Sequence, residues 1–455
     1  SMPQKLPEEF QNQMKRLLGE AGFFAYLKAL DEPYTRALRI NLLLRPDGTP
    51  PCAIEGLGAP VPWAKGAYFI EGDARPGLSP LHEGGLFYMQ EPSALTAVTA
   101  LDPQPGERIL DLCAAPGGKS TQIAALMAGQ GLLVCNEPVP NRAQILSRNV
   151  ERMGVRNAVV VSALPDALAP RFPAFFDRIL VDAPCSGEGM FRRQPEARDE
   201  WDADSPARCA DRQMDILEEA AKMLRPGGVM VYSTCTFNDT ENEGVLKRFL
   251  QAHPEFALEP FVLPGLPEAP DGWLHLYPHE MRGEGHFVSR LKKSADAPMP
   301  EAISPKTRTS RPAKGAGKNA KSPAPLALPD VFAKGCEPNR LYSAGGALWS
   351  LPEGIDPELL HGLRVLRTGL LLAHAEGRRV EPDHALAMAL RPEEAARSVS
   401  LTQEQALAYQ AGETCELGDL SAGYTLLCCE GISLGWGKQA GGIMKNHYPK
   451  GLRRR

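Results

Sequence analysis

Apolar positions along the chain fall into distinct patterns. Over residues 6–30 they recur at helical spacing, at Phe10, Met14, Leu17, Leu18, Phe23, Phe24 and Leu27, broken by Gly19 and Gly22, which predicts two short helices. Pro46 to Gly85 is rich in Pro and Gly with short β-type runs such as GAYFIEG, so residues 1–95 are expected to form a small α+β module. From Leu101 to Lys293 the apolar runs RILDLCAA, LLVCNE, AVVVSA, RILVDAP and VMVYSTC alternate with helical stretches such as GGKSTQIAALMA and RAQILSRNVERM. Apolar strands alternating with helices predict an α/β domain over 96–293, with a mostly parallel sheet covered on both faces. HFVSRLKK follows without a crossover helix and predicts an antiparallel edge strand.

Residues 294–324 are mainly Ala, Pro, Lys and Ser, cannot offset the entropy of ordering, and predict a flexible basic linker. Over 325–455 apolar runs return with glycine punctuation (SAGYTLLCCEG, ISLGWGK) and one helical stretch, HALAMAL, predicting a small β-rich C-terminal domain.

With 455 residues, 43% of them apolar, the chain can build two or three domains with their own cores. No run of about 18 apolar residues occurs, and the start PQKLPEEFQNQMKRL lacks the apolar core of about 7–15 residues of a signal peptide, so no membrane span or secretion is expected. The leading Ser1 before Met2 reads as a tag-removal scar. Ten cysteines without a CxxC pair predict a reducing, cytoplasmic setting, with neither a disulfide framework nor a structural metal. A net charge of −5 does not by itself suggest nucleic acid. Its distribution does, with eight Lys/Arg between Lys292 and Lys321 and six, with no acid, between Lys438 and Arg455. Such segments suit contact with phosphates, the plainer alternative being solubilising charge.

Three strand ends carry candidate chemistry. In ILDLCAAPGGKSTQ (109–122) a strand passes through Pro116-Gly117-Gly118 into a helix, a place where small residues and helix N-terminal amides admit a ligand. A P-loop is excluded, since GxxxxGK[ST] needs glycine where Cys113 stands, and GxGxxG is absent. The next strand ends at Glu137, twenty residues after Gly117, where a carboxylate can take a ribose diol, a pattern NAD and S-adenosylmethionine enzymes share; a tight turn with a surface glutamate is the alternative. DRILVDAPCSGEGMFRR (177–193) sets Asp182 at a strand end, able to grip the amino group and ring nitrogen of a base, and presents Cys185 on a turn stiffened by Pro184. Alone, Cys185 reads better as a buried structural thiol. VMVYSTCTFNDTENE (229–243) runs a strand into Cys235, then Asn238, Asp239 and Glu241 as a helix cap and first turn. Two cysteines at the ends of strands expected to be neighbours in the sheet would face one cleft. Such a pair suits methylation of carbon 5 of cytosine: a thiolate adds at carbon 6, and the resulting enamine attacks an electrophilic methyl group. That needs a nucleophilic cysteine, an acid near ring nitrogen 3, a methyl donor and a base for the carbon 5 proton. Spacing alone does not tell the two cysteines apart.

With these residues assembled, the chain resembles the Sun/Fmu family of RNA cytosine-5 methyltransferases. DLCAAPGGKSTQ, DAPCSGEGMFR and YSTCTFNDTENE are close to its signature blocks, together with RIN at 39–41 and YMQEPSAL at 88–95. RVLRTGLLLAHAEGRRVEPDHALAMAL and LGWGKQAGGIMKNHYPKGLR resemble the C-terminal region, a PUA-like RNA-binding fold, of the bacterial RsmF subgroup, which modifies 16S ribosomal RNA. The resemblance implies a Rossmann-like class I methyltransferase domain with an antiparallel edge, an N-terminal RNA-binding module and a PUA-like domain. It implies S-adenosylmethionine as cofactor, 16S ribosomal RNA or the small ribosomal subunit as partner, and no metal; no obligate protein partner is evident.

The resemblance further implies Cys235 as nucleophile, with Cys185 helping to resolve the adduct and release product, the reverse of the Pro-Cys nucleophile of DNA cytosine methyltransferases. Cofactor contacts are implied for Cys113, Ala114, Ala115, Pro116, Gly117, Gly118 and Lys119, with Glu137 on the ribose, Arg142 nearby and Asp182 touching donor and base. Lys119 is implied to activate or orient the attacking thiol. RNA contacts are expected from Arg39, Asn41, Gln90, Arg192, Arg193, Lys445 and Lys450, on a target that is single-stranded or flipped out. His447 and Tyr448 either stack on RNA or pack in the C-terminal core. One departure is that VVVSALPDAL offers Ser162, with Asp166 four residues on, where family members often place an acid or asparagine facing the adenine.

Other readings are the same chemistry on transfer RNA or large-subunit RNA, and a non-catalytic assembly factor with this fold, against which intact Cys235, Cys185, Asp182 and Lys119 count. An NAD-dependent oxidoreductase fails on the loop, which lacks GxGxxG.

Overall fold

A computed structural model describes residues 5–300 and 326–455; Ser1, Met2 and the expected linker from residue 301 onward lie outside the described residues. Near the N-terminus, Glu8–Leu30 is helical on either side of Gly19, whose φ of 73° and ψ of 173° break the helix where two were expected. Phe10, Met14, Phe23 and Tyr26 form its buried face and pack against Phe191, Trp201 and Phe237. Strands β1 (Arg36–Ile40), β2 (Leu57–Pro60), β3 (Ala67–Ile70) and β4 (Phe87–Met89) then make an antiparallel sheet in the order β2-β3-β1-β4.

Strands β5 (Arg108–Asp111), β6 (Leu132–Asn136), β7 (Ala158–Ser162), β8 (Phe176–Asp182) and β9 (Leu224–Thr234) form the parallel centre of a nine-stranded sheet. β6 is buried at every position and β7 at all but its last, as strands covered on both faces must be. The spatial order β7-β6-β5-β8-β9 reverses between β5 and β8. Their carboxyl ends therefore open a crevice, the usual ligand position in an open α/β sheet. β10 (Phe256–Leu258), β11 (Trp273–Leu276) and β12 (His286–Lys293) follow. β12 runs antiparallel to β9, but it is not the edge that was expected, because β10 and β11 pair along its other side and satisfy its outward amides and carbonyls.

The C-terminal region holds β13 (Leu341–Ala344), β14 (Ala347–Ser350), β15 (Arg364–Thr368), β16 (Leu370–Glu376), β17 (Arg379–Pro382), β18 (Ser398–Ser400), β19 (Gly423–Cys429), β20 (Ile432–Ala440) and β21 (Ile443–Asn446). Two four-stranded sheets result, β13-β14-β16-β17 and β18-β19-β20-β21, and HALAMAL supplies the helix His384–Ala389. This region does not stand apart as one small domain. β15 leaves it to pair antiparallel with β7 and covers the far edge of the central sheet.

The N-terminal sheet is fastened to the central domain by buried polar groups, and this corrects two of the expected RNA contacts. Arg39, 1% exposed, donates through Nη2 to Gly118 O (2.9 Å) and Thr121 Oγ1 (2.8 Å). Asn41, 1% exposed, donates through Nδ2 to Gly85 O and Met153 O, each at 2.9 Å. Both side chains turn inward, Asn41 to two carbonyls and Arg39 to a carbonyl and a hydroxyl, so neither faces RNA. Asn41→Ala leaves those two carbonyls without this donor and is expected to lower stability by about 2–4 kcal/mol. Urea unfolding would show a lower midpoint, whereas a surface RNA contact would instead give unchanged stability with weaker RNA binding.

Candidate active site

The parallel register of β8 and β9 pairs Asp182 with Ser233, so the residues just past each strand, including Cys185 and Cys235, emerge side by side. Cys185 Sγ lies 3.1 Å from Cys235 Sγ. The hydrogen bond to Cys235 and burial push the Cys185 thiol well above its ordinary value. Gly189 closes the DAPCSGEG turn over this end: its amide donates to Cys235 O (2.7 Å), and a Cβ there would stand 2.6 Å from the same oxygen. A side chain at 189 cannot be accommodated without moving the Cys235 backbone.

Beneath the thiols sits an ion pair. Lys119 Nζ, from the helix Gly118–Leu126, is 2.9 Å from Asp182 Oδ2, while Ser233 Oγ donates to Asp182 Oδ1 at 2.8 Å. Burial alone opposes ionisation of Asp182, but the Lys119 ammonium and a neighbouring imidazole, His286, outweigh it and hold the carboxyl far below its usual range. Burial likewise opposes the charge on Lys119, and Asp182 outweighs it, so the ammonium is kept. Asp111, at the end of β5, has no such partner; burial raises it to about 7 despite a hydrogen bond from Ser120 Oγ at 2.7 Å. Burial also pushes the Cys113 thiol well up.

Two cavities meet at this point. One, of about 880 Å³, runs from Cys185 and Cys235 past Asp182 to Glu137, Arg142, Leu164 and Asp166. The other, of about 410 Å³, runs from Cys235 past Lys119 to Gln90, Arg193 and His286. They share Cys113, Ala115, Arg142, Asp182, Ala183 and Cys235. Ala114, Pro116 and Gly118 line the smaller one. Gly117, at φ 119°, turns the chain against Leu146 and Asn149. In the larger cavity Glu137 Oε2 accepts from Val139 N at 3.0 Å, and Oε1 is 3.7 Å from Arg142, beyond a hydrogen bond. Val139 and Leu164 are 42% and 63% exposed there, apolar surface suited to a flat aromatic ring. Ser162 does not line either cavity; it pairs with Arg364 of β15, and Asp166 takes the lining position instead.

The remaining expected residues divide. Gln90 and Arg193 line the smaller cavity, and Lys445 and Lys450 are exposed in the C-terminal region. Arg192 is a correction. Its side chain, 7% exposed, is bound to the Glu284 carboxylate and donates to Ala29 O at 3.0 Å, so its charge is already neutralised inside the protein. Tyr448 is 3% exposed and packs edge-on to His384 and Tyr409, while His447 lies against Tyr424. His374, Glu376 and Glu381, on the β16–β17 hairpin, bring potential metal-ligating atoms within 4.8 Å of one another, outside both cavity linings.

Glu188 and Asn136 were not picked out in the sequence, and Glu241 was expected only as part of a helix cap and first turn. Glu188 is fully buried, and its Oε1 accepts from Thr236 Oγ1 (2.6 Å), Phe237 N (2.8 Å) and Asn238 N (3.0 Å), clamping the turn after Cys235. Glu241, also fully buried, accepts from Ser186 N (3.1 Å) and Gln213 Nε2 (2.8 Å), holding the turn after Cys185. Asn136 donates to Leu112 O (3.2 Å) and Ala163 O (3.0 Å), tying three strand ends together. Only the polar character of Asn136 at the end of an apolar strand could have drawn attention to it.

Comparison with known proteins agrees with this layout. Residues 98–292 match the family described as 16S rRNA methyltransferase RsmB/F. Residues 6–92 match the N-terminal domain of 16S rRNA methyltransferase RsmF, 328–390 the RsmF rRNA methyltransferase first C-terminal domain, and 396–454 the methyltransferase RsmF PUA domain. Ribosomal RNA small subunit methyltransferase F of Erwinia tasmaniensis is 33% identical over 98% of this chain and 96% of its own. That of Klebsiella pneumoniae is 34% identical over the same shares. Among solved structures, a methyltransferase homolog from Pyrococcus horikoshii superimposes with a TM-score of 0.54 at 30% identity, covering 63% of this chain and 95% of that one. NSun6 from Pyrococcus horikoshii, at 24% identity and a TM-score of 0.54 over 63% of this chain and 98% of that one, shares the fold.

The Lys119–Asp182 pair makes a pH-dependent contribution to stability. Because the folded carboxyl is held below its unfolded value, that contribution is complete above about pH 4 and is lost as pH falls toward the folded value. In Lys119→Met, burial acts on Asp182 unopposed by the ammonium and makes ionisation costly. The stability gap between wild type and Lys119→Met, read by urea unfolding, is expected to be wider at about pH 8 than at about pH 4; a gap independent of pH would mean that the pair is not ionic.

Proposed function

The chain belongs to the RsmB/F family of 16S rRNA methyltransferases, and from that membership and the paired thiols we propose that it methylates carbon 5 of cytidine in 16S ribosomal RNA through a covalent cysteine–cytosine adduct. The observation that carries the chemistry is the Cys185–Cys235 contact beside the Lys119–Asp182 pair, where two cavities join. One cavity fits a nucleoside cofactor and the other a flipped base, and a reacting carbon at their junction lies beside Cys235.

S-adenosylmethionine, when bound, supplies an electrophilic methyl group. The larger cavity has the parts to hold it: Glu137 Oε1 for a ribose diol, Val139 and Leu164 as faces for the adenine, Asp166 at its rim, and Cys113 to Lys119 around the reacting end. Cys235 adds to carbon 6 of the cytosine, which makes carbon 5 nucleophilic toward the methyl group. Asp182, kept ionised by Lys119, accepts from the exocyclic amine of the base and orients the ring. Cys185, in contact with Cys235, assists the elimination in which a base takes the carbon 5 proton, the carbon 5–hydrogen pair becomes the carbon 5–carbon 6 double bond, and the carbon 6–sulfur pair returns to Cys235. Gln90 and Arg193 flank the base cavity, and exposed Lys445 and Lys450 contribute phosphate contacts that add affinity more than base choice. Among the described residues no helix is long and apolar enough to cross a membrane.

Transfer of labelled methyl from S-adenosylmethionine to small-subunit RNA tests the role assignment. Cys235→Ala is expected to be inactive, and Cys185→Ala to accumulate a protein–RNA adduct that survives denaturing electrophoresis. Methylation by Cys235→Ala would overturn the nucleophile assignment and move it to Cys185. Glu137→Ala is expected to weaken S-adenosylmethionine binding about tenfold, one lost charge-assisted hydrogen bond, with RNA affinity unchanged; calorimetric titration of each ligand separates the two.

A further inference from the structure

Addition of a thiolate to carbon 6 pushes electrons onto ring nitrogen 3, and the step is favourable only if a proton meets them there. Asp182 is the acid that strand position suggests for this task. Its surroundings disqualify it: with Lys119 at 2.9 Å and the Ser233 hydroxyl at 2.8 Å, the carboxylate is committed as an anion and has no proton to lend. A second donor is needed in the same cavity.

His286 occupies that place. It opens β12 one residue before Phe287, which pairs with Thr234 of β9, so the next step of the antiparallel register sets His286 level with Cys235. It lines the smaller cavity together with Lys119, Asp182 and Cys235. The residue is 2% exposed, and its Nε2 stands 3.4 Å from Asp182 Oδ1, an ion-pair contact longer than a good hydrogen bond. A buried imidazole nitrogen held only by so long a contact is poorly satisfied in a cavity meant to stay empty, and is better explained in one that receives a polar ring.

We propose that His286 is a catalytic residue of the methyl transfer, lending its Nε2 proton to ring nitrogen 3 of the target cytosine as Cys235 adds to carbon 6 and recovering it when carbon 5 takes the methyl group. This rests on the two-cysteine reading above. The step balances within the site. The Cys235 sulfur pair forms the bond to carbon 6, the carbon 5–carbon 6 π pair moves between carbons 4 and 5, and the carbon 4–nitrogen 3 π pair takes the imidazolium proton. The carbon 4–carbon 5 π pair then bonds to the methyl carbon, whose bond to the donor sulfur breaks with its pair staying on that sulfur, while the nitrogen–hydrogen pair reforms the carbon 4–nitrogen 3 double bond and the proton returns to His286. The Asp182 carboxylate is the anion that the protonated ring faces.

The charged groups around His286 are each already engaged. Asp182 on β8 and Lys119 on its helix stay charged as a pair, and Glu284, in the loop before β12, is bound to Arg192. Glu91 accepts from the amide and hydroxyl of Ser93. Ionisation of Cys235 makes the nucleophile and raises the rate with pH, whereas loss of the His286 proton lowers it. A decline on the alkaline side of the adduct-formation profile therefore reports on His286.

The test measures single-turnover adduct formation against pH in the Cys185→Ala background, with S-adenosylmethionine and small-subunit RNA. His286→Phe is expected to slow adduct formation about 100-fold and to abolish the alkaline decline, while S-adenosylmethionine and RNA binding stay unchanged. His286→Gln, which donates a hydrogen bond but no proton, is expected to recover part of the rate and still lack the decline; it also serves if the Phe variant does not fold. Adduct formation at the parental rate, or a slower rate with the parental pH profile, overturns the proposal and leaves His286 a packing residue. If the Cys185→Ala parent traps no adduct, the two-cysteine reading fails separately. The same His286 variants with Cys185 intact then decide the proposal by their methyl-transfer pH profiles, judged by the same criteria.

Discussion

The parallel register that sets Asp182 level with Ser233 is the constraint from which the rest of the site follows. It brings the ends of β8 and β9 together, so that the turns beyond them deliver Cys185 and Cys235 to within 3.1 Å of each other. It also stacks the Ser233 hydroxyl on Asp182, which in turn holds Lys119 from the first turn of the helix after β5. A slip of one residue would flip every side chain of β9 to the other face of the sheet and separate all four groups.

Such an arrangement keeps charges and polar groups away from water, which is tolerable only where each is matched. Glu188 and Glu241, both fully buried, are matched many times over by the amides and hydroxyls of the two cysteine-bearing turns. Their carboxylates therefore act as rigid templates for loops that carry no regular secondary structure of their own. The same low dielectric keeps Asp182 and Lys119 ionised as a pair while leaving the lone Asp111 raised to about 7. Neighbouring carboxylates in one crevice thus differ in behaviour because of what stands opposite them.

The outer parts of the chain are fitted to this centre rather than strung beside it. The N-terminal helix packs Phe10 and Tyr26 around Phe191 and Phe237, which lie just beyond the two cysteines in sequence. Arg39 and Asn41 bind carbonyls of the central domain and its neighbouring turn, and β15 from the C-terminal region extends the central sheet. The C-terminal region that carries Lys445 and Lys450 is in this way joined to the central sheet through β15.

Much of this was legible in the order of residues, because strand periodicity, glycine turns and cysteine-bearing strand ends are local. The alternation of apolar runs with helices determined the α/β sheet, Gly19 the break in the first helix, and the two strand ends the pairing of the cysteines in one cleft; the resemblance, not spacing, supplied their separate roles. What residue type does not encode is which side of a surface it lies on. Arg39, Asn41 and Arg192 look like RNA contacts by charge and polarity, yet the fold spends them on buried carbonyls and on Glu284. β12 looks like an edge because its partners β10 and β11 are short and irregular in sequence. His286 and Glu188 reach the site only through long-range contacts. Sequence alone determined the elements and the strand-end chemistry, which depend on neighbours a few residues away. Tertiary structure decided exposure, charge state and the company of His286, because those depend on residues that are distant along the chain and adjacent only once the sheet is assembled.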